Sequence, residues 1–485
     1  GTETRRATSL RQQLIDFQQK LGSLTFLDPA CGSGNFLTET YLSLRRLENK
    51  VISTLNKGEK VIGFEDFIHV KINQFYGIEI NDFAVTVAKT ALWIAESQMM
   101  AETEKILGMN LNFLPLTTNA FIVEGNALRM DWATLQPYDT NKGACPLAEM
   151  NEPNLFSGFT TQTDGKAHHY DYIIGNPPFV GFTFMTTEQK KDMQSIFQNV
   201  KNLDFVCAWY KKSSDLIQGT DTKCAFVSTN SICQGETVAR FWNFMKGIKI
   251  NFAYRSFIWD SESNQKAHVH CVIVGFSCAD YNNVETRHGT SLHSKRIFNA
   301  DGTIIYAQNI NAYLLDCDNV LIDSRNKPIC NVPDMVYFHK PADGGNLIIE
   351  AEDYDDFIAK EPKSIKYIHP LLGAVEYLHN KKRYCLWLEG ISPTELKSMP
   401  LVYERIKKCK EIREESIAAG IRKFAETPHL FAQRTQPIDK DFIILPRVSS
   451  ETREYVPISF LEQGIIVSDA VQIIPNATLY HFGIL

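Results

Sequence analysis

A short apolar strand that runs into a glycine-rich loop and then a helix constrains the fold of this chain most. Residues 24–27 are apolar, residues 28–35 read Asp-Pro-Ala-Cys-Gly-Ser-Gly-Asn, and residues 36–47 have a helical pattern. A strand, glycine loop and helix in this order form a nucleotide-binding unit, and its glycines let the backbone approach a ligand. The spacing matches neither the dinucleotide fingerprint nor a P-loop. We therefore expect a nucleoside ligand with a compact cationic or zwitterionic tail rather than a polyphosphate.

A second loop follows another apolar strand, at residues 170–174. The loop begins with Gly175 and continues with Asn176, Pro177, Pro178 and Phe179. Because two prolines fix φ and remove two backbone donors, the turn is stiff. Such a turn holds the Asn176 amide and the Pro177 carbonyl ready to accept hydrogen bonds from an amino group on a planar ring, while Phe179 offers a stacking face. This cradle suits a nucleobase taken out of its stack.

Two further strand ends carry polar side chains. Residues 75–80 predict a strand ending at an acid, Glu79, and residues 121–124 predict one that leads to Asn126. An acid at such a strand end can bind both ribose hydroxyls, and a side-chain amide can read the amino edge of adenine. Either residue alone is more often part of an ordinary strand-to-helix turn. Four such features in this order, at successive strand ends, are not expected by chance, and they predict one pocket.

These motifs resemble those of the amino-group DNA methyltransferases in the gamma arrangement, and most closely those of MmeI-like enzymes. In that arrangement the glycine loop comes first, the Asn-Pro-Pro-aromatic motif follows, and target recognition is C-terminal. The resemblance runs from about residue 20 to the end of the chain. Its supporting segments beyond the four loops are residues 90–93, 226–231, 267–274, 345–348, 385–388 and 446–450.

The resemblance implies an α/β fold in two domains, which suits a chain of 485 residues. Residues 1–310 are expected to form a Rossmann-like class I methyltransferase domain, with a seven-stranded sheet and helices on both faces. Residues 311–485 are expected to form an α+β target recognition domain. We also expect the chain to be a segment of a longer protein, cut short at its C-terminal side and lacking an N-terminal nuclease region of the same polypeptide.

The resemblance also implies S-adenosylmethionine as cofactor and double-stranded DNA as partner. The implied reaction is site-specific methylation of the N6 amino group of a flipped adenine, within a restriction-modification system. The implied catalytic residues are Asn176, Pro177, Pro178 and Phe179. The implied cofactor-binding residues are Asp28, Ala30, Cys31, Gly32, Ser33, Gly34, Asn35, Phe36, Glu79, Ile80, Asn126, Ala127 and Asn176. No metal ligand is expected.

Other functions remain open at this point. RNA guanine-N2 and protein glutamine methyltransferases also carry Asn-Pro-Pro-aromatic, although those chains are normally shorter, and a DNA specificity module without catalysis would keep the same domains. Cytosine C5 methylation needs a nucleophilic cysteine that follows a proline, whereas Cys145 precedes one. Cytosine N4 enzymes usually carry Ser-Pro-Pro-aromatic, so the motif favours adenine N6.

The distribution of charge bears on DNA binding. The net charge is −6, yet residues 381–453 contain 15 Lys and Arg against 10 Asp and Glu, so this segment carries +5 and the remainder −11. A basic segment on an acidic catalytic part can guide DNA into a cleft. For any single residue, a salt bridge or a solvated helix at residues 401–424 explains the charge equally well. The candidates for DNA contact are Arg434, Arg447, Ser449 and Arg453.

Composition limits the cellular setting. No apolar run reaches transmembrane length, and we expect no signal peptide. The 11 cysteines lack Cys-x-x-Cys spacing, which argues against a zinc site and for a reducing compartment. We therefore expect a bacterial cytoplasmic protein that associates with the nucleoid through DNA. Residues 139–168 read as a polar insertion in which His168 and His169 lie at the surface, and residues 182–203 are expected to lie over the DNA cleft.

Overall fold

The structure is a computed structural model of the chain. It describes residues 2–55, 68–108, 119–135, 169–198, 202–259, 269–279, 295–325, 327–337, 339–435, 437–450, 453–468 and 470–485. The chain divides into two compact units, Gly1–Ser324 and Arg325–Leu485. The polar insertion predicted at residues 139–168, which contains Cys145 and His168, lies outside the described residues. His169 is described and exposed, as expected.

The first unit alternates strands and helices over most of its length. Its helices are α1 (Thr2–Ser23), α2 (Asn35–Leu55), α3 (Asp82–Leu107), α4 (Thr187–Ile196), α5 (Cys207–Leu216) and α6 (Thr237–Trp242). Its strands are β1 (Phe26–Asp28), β2 (Phe75–Glu79), β3 (Phe121–Glu124), β4 (Tyr172–Gly175), β5 (Lys223–Thr229), β6 (Ile248–Trp259), β7 (Val269–Cys278), β8 (Lys295–Phe298) and β9 (Ile304–Ala307). The glycine loop and the Asn-Pro-Pro-Phe loop therefore follow β1 and β4, as the sequence predicts.

These strands form one sheet in the order β3-β2-β1-β4-β5-β7-β6-β8-β9 within the described residues. Strands β1 to β5 are parallel to their neighbours among themselves, and β7 is antiparallel to both β5 and β6. The prediction of an α/β fold with one large sheet is confirmed, but the predicted number of seven strands is wrong. A hairpin of β8 and β9 adds two strands because β8 pairs with β6 and extends the sheet at that edge.

The sheet buries apolar residues on both faces. Adjacent residues of a strand point to opposite faces, and here they enter different hydrophobic clusters. Phe26 and Phe75 pack with the helices α2 and α3, whereas Leu27 and Tyr76 pack with residues of α5 and α6. Because both faces are covered, the central strands are mostly apolar, which is the pattern expected of a parallel sheet.

The carboxyl ends of β1 to β4 meet at one edge of the sheet, and main-chain hydrogen bonds tie the following loops together. Cys31 N donates to Ile78 O at 3.1 Å, and Gly125 N donates to Glu79 O at 2.8 Å. The strand order runs outward from β1 in two directions, to β2 on one side and to β4 on the other. Such a switch in strand order opens a crevice at the carboxyl edge, where ligands of open α/β sheets bind.

The second unit contains two four-stranded sheets with orders β10-β17-β14-β15 and β11-β13-β12-β16, within the described residues. Its strands are β10 (Val336–Tyr337), β11 (Ile348–Glu350), β12 (Ile368–Leu372), β13 (Arg383–Leu386), β14 (Phe442–Pro446), β15 (Ser459–Leu461), β16 (Ile466–Val467) and β17 (Val471–Pro475). Its helices are α7 (Tyr354–Lys360), α8 (Ala374–His379), α9 (Pro393–Lys397), α10 (Pro400–Glu414), α11 (Ala419–Arg422) and α12 (Leu479–Ile484). The charged helix predicted at residues 401–424 is therefore split between α10 and α11.

Two kinds of feature are absent from the described residues. No helix in that part of the chain combines the length and the apolar composition that crossing a bilayer requires. No group of three or more His, Cys, Asp or Glu side chains in it is arranged to hold a metal ion.

Candidate active site

The glycine loop turns tightly between β1 and α2. Gly32 and Gly34 have φ values of +52° and +82°, in the left-handed region that favours glycine. A Cβ at Gly34 would also lie 2.9 Å from Cβ of Ala88 on α3. Gly34 N donates to Cys31 O at 2.8 Å, which closes the turn. Both glycines are therefore required by backbone geometry, and the second also by its contact with α3.

Glu79, the last residue of β2, joins the loops on either side of it. Its Oε2 accepts a hydrogen bond from Gly32 N at 2.9 Å, and its Oε1 accepts one from Asn81 N at 3.0 Å. Each carboxylate oxygen keeps a further lone pair, so the group can still accept from a ligand. The next side chain, Ile80, is 69% exposed, which leaves an apolar surface beside the carboxylate.

Asp28, the last residue of β1, is fully buried. Its Oδ1 accepts from Ala30 N at 3.0 Å, while no described residue hydrogen-bonds to its Oδ2. Burial raises the pKa of Asp28 to about 7; the hydrogen bond from Ala30 opposes this shift, and the negative charge of Glu79 adds to it. A buried carboxylate oxygen without a partner is costly, and this cost favours the protonated form of Asp28.

The Asn-Pro-Pro-Phe loop carries a second polar atom of this kind. Asn176 is half-buried, and no described group hydrogen-bonds to its Oδ1. Pro177 is buried and Pro178 exposed, while Phe179 is half-buried and packs against the core under the sheet. Two unpaired oxygens, on Asp28 and Asn176, thus follow adjacent strands of the sheet.

A cavity of about 760 Å³ lies where these loops meet, a volume in the range of small-molecule and cofactor sites. The sequence-predicted residues on its wall are Ala30, Gly32, Glu79, Ile80, Asn126, Ala127, Asn176 and Pro178. Two other predicted residues, Cys31 and Asp28, are buried beside this wall. Burial raises the pKa of the Cys31 thiol. Ser33, Asn35 and Phe36 are exposed at the start of α2.

Helix α4 supplies a polar wall that the sequence did not single out. Asp192 is buried, and its Oδ2 accepts from Asn126 Nδ2 at 2.9 Å. Its Oδ1 accepts from Arg129 Nε at 2.6 Å, and Arg129 also bridges to Glu188 at 3.0 Å. All four side chains line the cavity. The only sequence signal was the polar character of residues 182–203, whose predicted position over DNA stays a prediction.

Two aromatic residues complete the described wall. Trp209 and Phe205 pack edge to face with ring centroids 5.2 Å apart, and both line the cavity. Trp209 Nε1 donates to Pro29 O at 3.0 Å, so α5 is fixed against the glycine loop. Asp204 holds the other side of this segment, since its Oδ1 accepts from the backbone N–H groups of Val180 and Val206 at 3.2 Å each. The Asn-Pro-Pro-Phe loop and α5 are therefore anchored together.

Comparison with known proteins shows the family to which the chain belongs. Residues 4–288 match the family model of the MmeI DNA-methyltransferase domain. The chain belongs to the MmeI family. Residues 316–485 match the MmeI target recognition domain, so the family resemblance predicted from the motifs is confirmed in both parts of the chain.

Two relatives illustrate the extent of the likeness. DNA methyltransferase A of Bacillus subtilis strain 168 is 38% identical over 480 residues, which is 98% of this chain and 50% of the relative. The structure of the Type IIL restriction-modification enzyme MmeI in complex with DNA matches with a TM-score of 0.76 and 38% identity, over 100% of this chain and 61% of that one. The chain thus spans 50% of the length of the first relative and 61% of the second.

The four DNA-contact candidates lie in the part that matches the target recognition domain. Arg434 Nη1 donates to Glu389 Oε1 at 2.6 Å. Arg434 therefore forms a salt bridge, which is the alternative to DNA contact that the sequence leaves open. Arg447, Ser449 and Arg453 are all exposed after β14. Arg447 takes part in none of the ion pairs found among the described residues. A different arginine of the basic segment, Arg413, is fully buried and is unable to contact DNA.

Proposed function

We propose that this chain is a site-specific DNA methyltransferase that transfers a methyl group from S-adenosylmethionine to the N6 amino group of a flipped adenine. One observation carries the proposal. Asn176, whose Oδ1 has no hydrogen-bond partner among the described residues, lines the same cavity as Glu79 and Asn126. The residue proposed to bind the amino group of the target base and the residues proposed to bind the cofactor nucleoside therefore line one cavity.

The chain's residues fit the cofactor. Glu79 would accept hydrogen bonds from the ribose hydroxyls with its remaining lone pairs, and Asn126 would face the amino edge of the cofactor adenine. The unpaired Asp28 Oδ2 would accept from a cationic group of the amino-acid tail. Once bound, S-adenosylmethionine supplies an activated methyl group on a cationic sulfur, and the role of these residues is to hold and orient it.

The target base would be held by the turn after β4. Asn176 Oδ1 and the Pro177 carbonyl would accept the two amino hydrogens, which localises the nitrogen lone pair that is normally spread into the ring. Phe179 would stack on the base. Positioning and electrostatics supply the acceleration, and no strong base is needed because the methylated nitrogen becomes acidic and can release its proton to water.

The proposed division of labour follows the chain. Residues 1–310 would perform methyl transfer, and residues 311–485 would recognise double-stranded DNA as part of a restriction-modification system. The match to the MmeI target recognition domain over residues 316–485 supports DNA as the substrate, in preference to RNA or a protein glutamine. The cavity, which the glycine loop, Glu79 and Asn176 line together, supports catalysis in preference to a specificity module without it.

The decisive experiment combines transfer and product analysis. The chain is incubated with tritiated S-adenosylmethionine and duplex DNA, and the nucleosides are then separated. We expect the label in N6-methyladenine, and Asn176→Ala should lose transfer while it retains cofactor and DNA binding. Phe179→Ala should lose base stacking of about 1–3 kcal/mol with a smaller loss of rate. Label in N4-methylcytosine, or an Asn176→Ala variant as active as the wild type, would refute the adenine cradle.

A further inference from the structure

We propose that Asp192 is a positioning residue that fixes the orientation of the Asn126 side-chain amide, and that this makes the cofactor site selective for an adenine over a hypoxanthine ring. The inference rests on the proposed function, because it assumes that a nucleoside cofactor lies beside Asn126. It adds a residue from helix α4, which neither the loop motifs nor the strand ends indicate.

Both carboxylate oxygens of Asp192 accept hydrogen bonds from neighbouring side chains. Asp192 is 6% exposed, its Oδ2 accepts from Asn126 Nδ2 at 2.9 Å, and its Oδ1 accepts from Arg129 Nε at 2.6 Å. On the opposite side, Asn126 Oδ1 accepts from Leu128 N at 2.9 Å. Each atom of the Asn126 amide therefore has a protein partner of the complementary kind.

These partners decide which way the amide faces. Side-chain amides are assigned from their hydrogen-bond network, because oxygen and nitrogen are similar in shape. An ionised carboxylate only accepts and a backbone N–H only donates. If the Asn126 amide were reversed, its oxygen would face the Asp192 carboxylate and its NH2 group would face the Leu128 N–H. Two repulsive contacts would replace two attractive ones, so Asp192 and Leu128 hold the oxygen in one place.

A fixed oxygen distinguishes between two purines. It has one lone pair left for the ligand, and the 6-amino group of adenine can donate to it. Hypoxanthine carries a 6-oxo group at the same position, which would bring two acceptors together. An acceptor left without a donor in a buried site costs about 1–3 kcal/mol, so the wild-type site should prefer the adenine ligand roughly 5- to 150-fold.

The test compares S-adenosylhomocysteine with S-inosylhomocysteine by calorimetric titration of the chain and its variants. In Asp192→Asn, Arg129 still requires an oxygen, because a guanidinium only donates. The new NH2 group must then face Asn126, which favours the reversed Asn126 amide. We expect the preference for the adenosyl ligand to fall at least fivefold. If Asp192→Asn does not fold, Asp192→Ser is the second variant: its hydroxyl can accept as well as donate and Leu128 N still favours the original amide, so the preference should fall by less than in Asp192→Asn, and no fall at all would contradict the inference.

Two matched variants separate orientation from charge. Glu124→Gln removes an exposed carboxylate two residues before Asn126 that does not line the described cavity, so the preference should be unchanged. In the double variant Asp192→Asn/Arg129→Leu, the amide at 192 is free to turn its oxygen to Asn126 Nδ2. The preference should then recover, which a general structural weakening of the site would not produce.

The outcomes are distinguishable. If the wild type binds neither ligand, the proposed cofactor is wrong. If it binds both ligands equally, Asn126 does not read the 6-amino group and the inference fails, although the cofactor proposal stands. If the wild type prefers the adenosyl ligand and Asp192→Asn keeps that preference, Asp192 does not set the orientation. Only a loss in Asp192→Asn with recovery in the double variant supports the inference.

Discussion

Gly175 lies so close to Asp28 that a Cβ at position 175 would be 2.6 Å from Asp28 Oδ1. These residues end the strands β4 and β1, which pair in parallel. Asp28 is fully buried, and the same oxygen accepts from Ala30 N, so the carboxylate has no room to move away. One close contact therefore sets the separation between the proposed cofactor loop and the proposed catalytic turn.

Gly175→Ala should disturb both loops. The added methyl group must displace Asp28 or the backbone before Asn176, and overpacking of a buried site costs about 1–3 kcal/mol. We expect a lower free energy of unfolding in urea and a larger loss of methyl transfer than stability alone explains. Gly181→Ala is the control, because a Cβ there meets only Phe184 at an ordinary 3.7 Å. Equal effects of the two substitutions would contradict the coupling.

The binding of a cationic cofactor should depend on pH through Asp28. Burial raises the pKa of Asp28 from 3.8 to about 7, so the fold favours the protonated form. The free energy of unfolding therefore falls as the pH rises from about 4 to 7, because the buried carboxyl must then ionise. A bound cation, by contrast, favours the ionised form. Calorimetric titration with S-adenosylhomocysteine should therefore show affinity falling as pH drops below about 7, by up to tenfold per pH unit. Asp28→Asn should bind more weakly and lose this dependence; an unchanged pH profile in that variant would exclude Asp28 as its source.

Glu79→Ala should weaken cofactor binding by about 1.5–3 kcal/mol, because hydrogen bonds to a charged acceptor are lost. The neighbouring strand offers a matched control. Glu124 pairs with Glu79 in register between β2 and β3, yet it is exposed and absent from the described cavity wall. Glu124→Ala should leave the calorimetric affinity nearly unchanged. If both substitutions have the same small effect, Glu79 does not bind the ribose.

The sequence predicted those parts of the fold whose determinants are local. Helix α3 (Asp82–Leu107) is such a part, since its apolar positions recur at helical spacing and its N-cap, Asn81, directly precedes it. The glycine loop was predictable because left-handed φ values at Gly32 and Gly34 demand glycine. The strand ends that carry Glu79 and Asn126 follow from runs of apolar residues.

Long-range partners were not predictable from the sequence. Asp192 lies 66 residues from Asn126, and no local pattern marks one acid of a polar helix as buried. Arg413 is the opposite case, since it belongs to a basic segment but is buried. Its guanidinium donates to five backbone carbonyls, those of Pro341, Ala342, Phe424, Thr427 and Leu430. Charge counting includes it in the basic segment at residues 381–453, whereas the fold uses it to join loops of the second unit.

The last prediction separates two arginines of that segment in DNA binding. Arg447 is exposed and forms no ion pair among the described residues, whereas the charge of Arg434 is already matched by Glu389 at 2.6 Å. If Arg447 contacts a phosphate, Arg447→Gln should weaken binding to all duplexes and lower the salt slope by about one unit.

Arg434→Gln should change the slope less, because its cation is partly neutralised within the protein. Fluorescence anisotropy with labelled duplexes over a range of salt concentrations measures both effects. A base contact by Arg447 would instead relax one position of the methylated sequence, which sequencing of methylated DNA would detect. If Arg447→Gln changes neither the affinity, nor the salt slope, nor the methylated sequence, Arg447 does not contact DNA, and the exposed turn after β14 loses its proposed role in recognition.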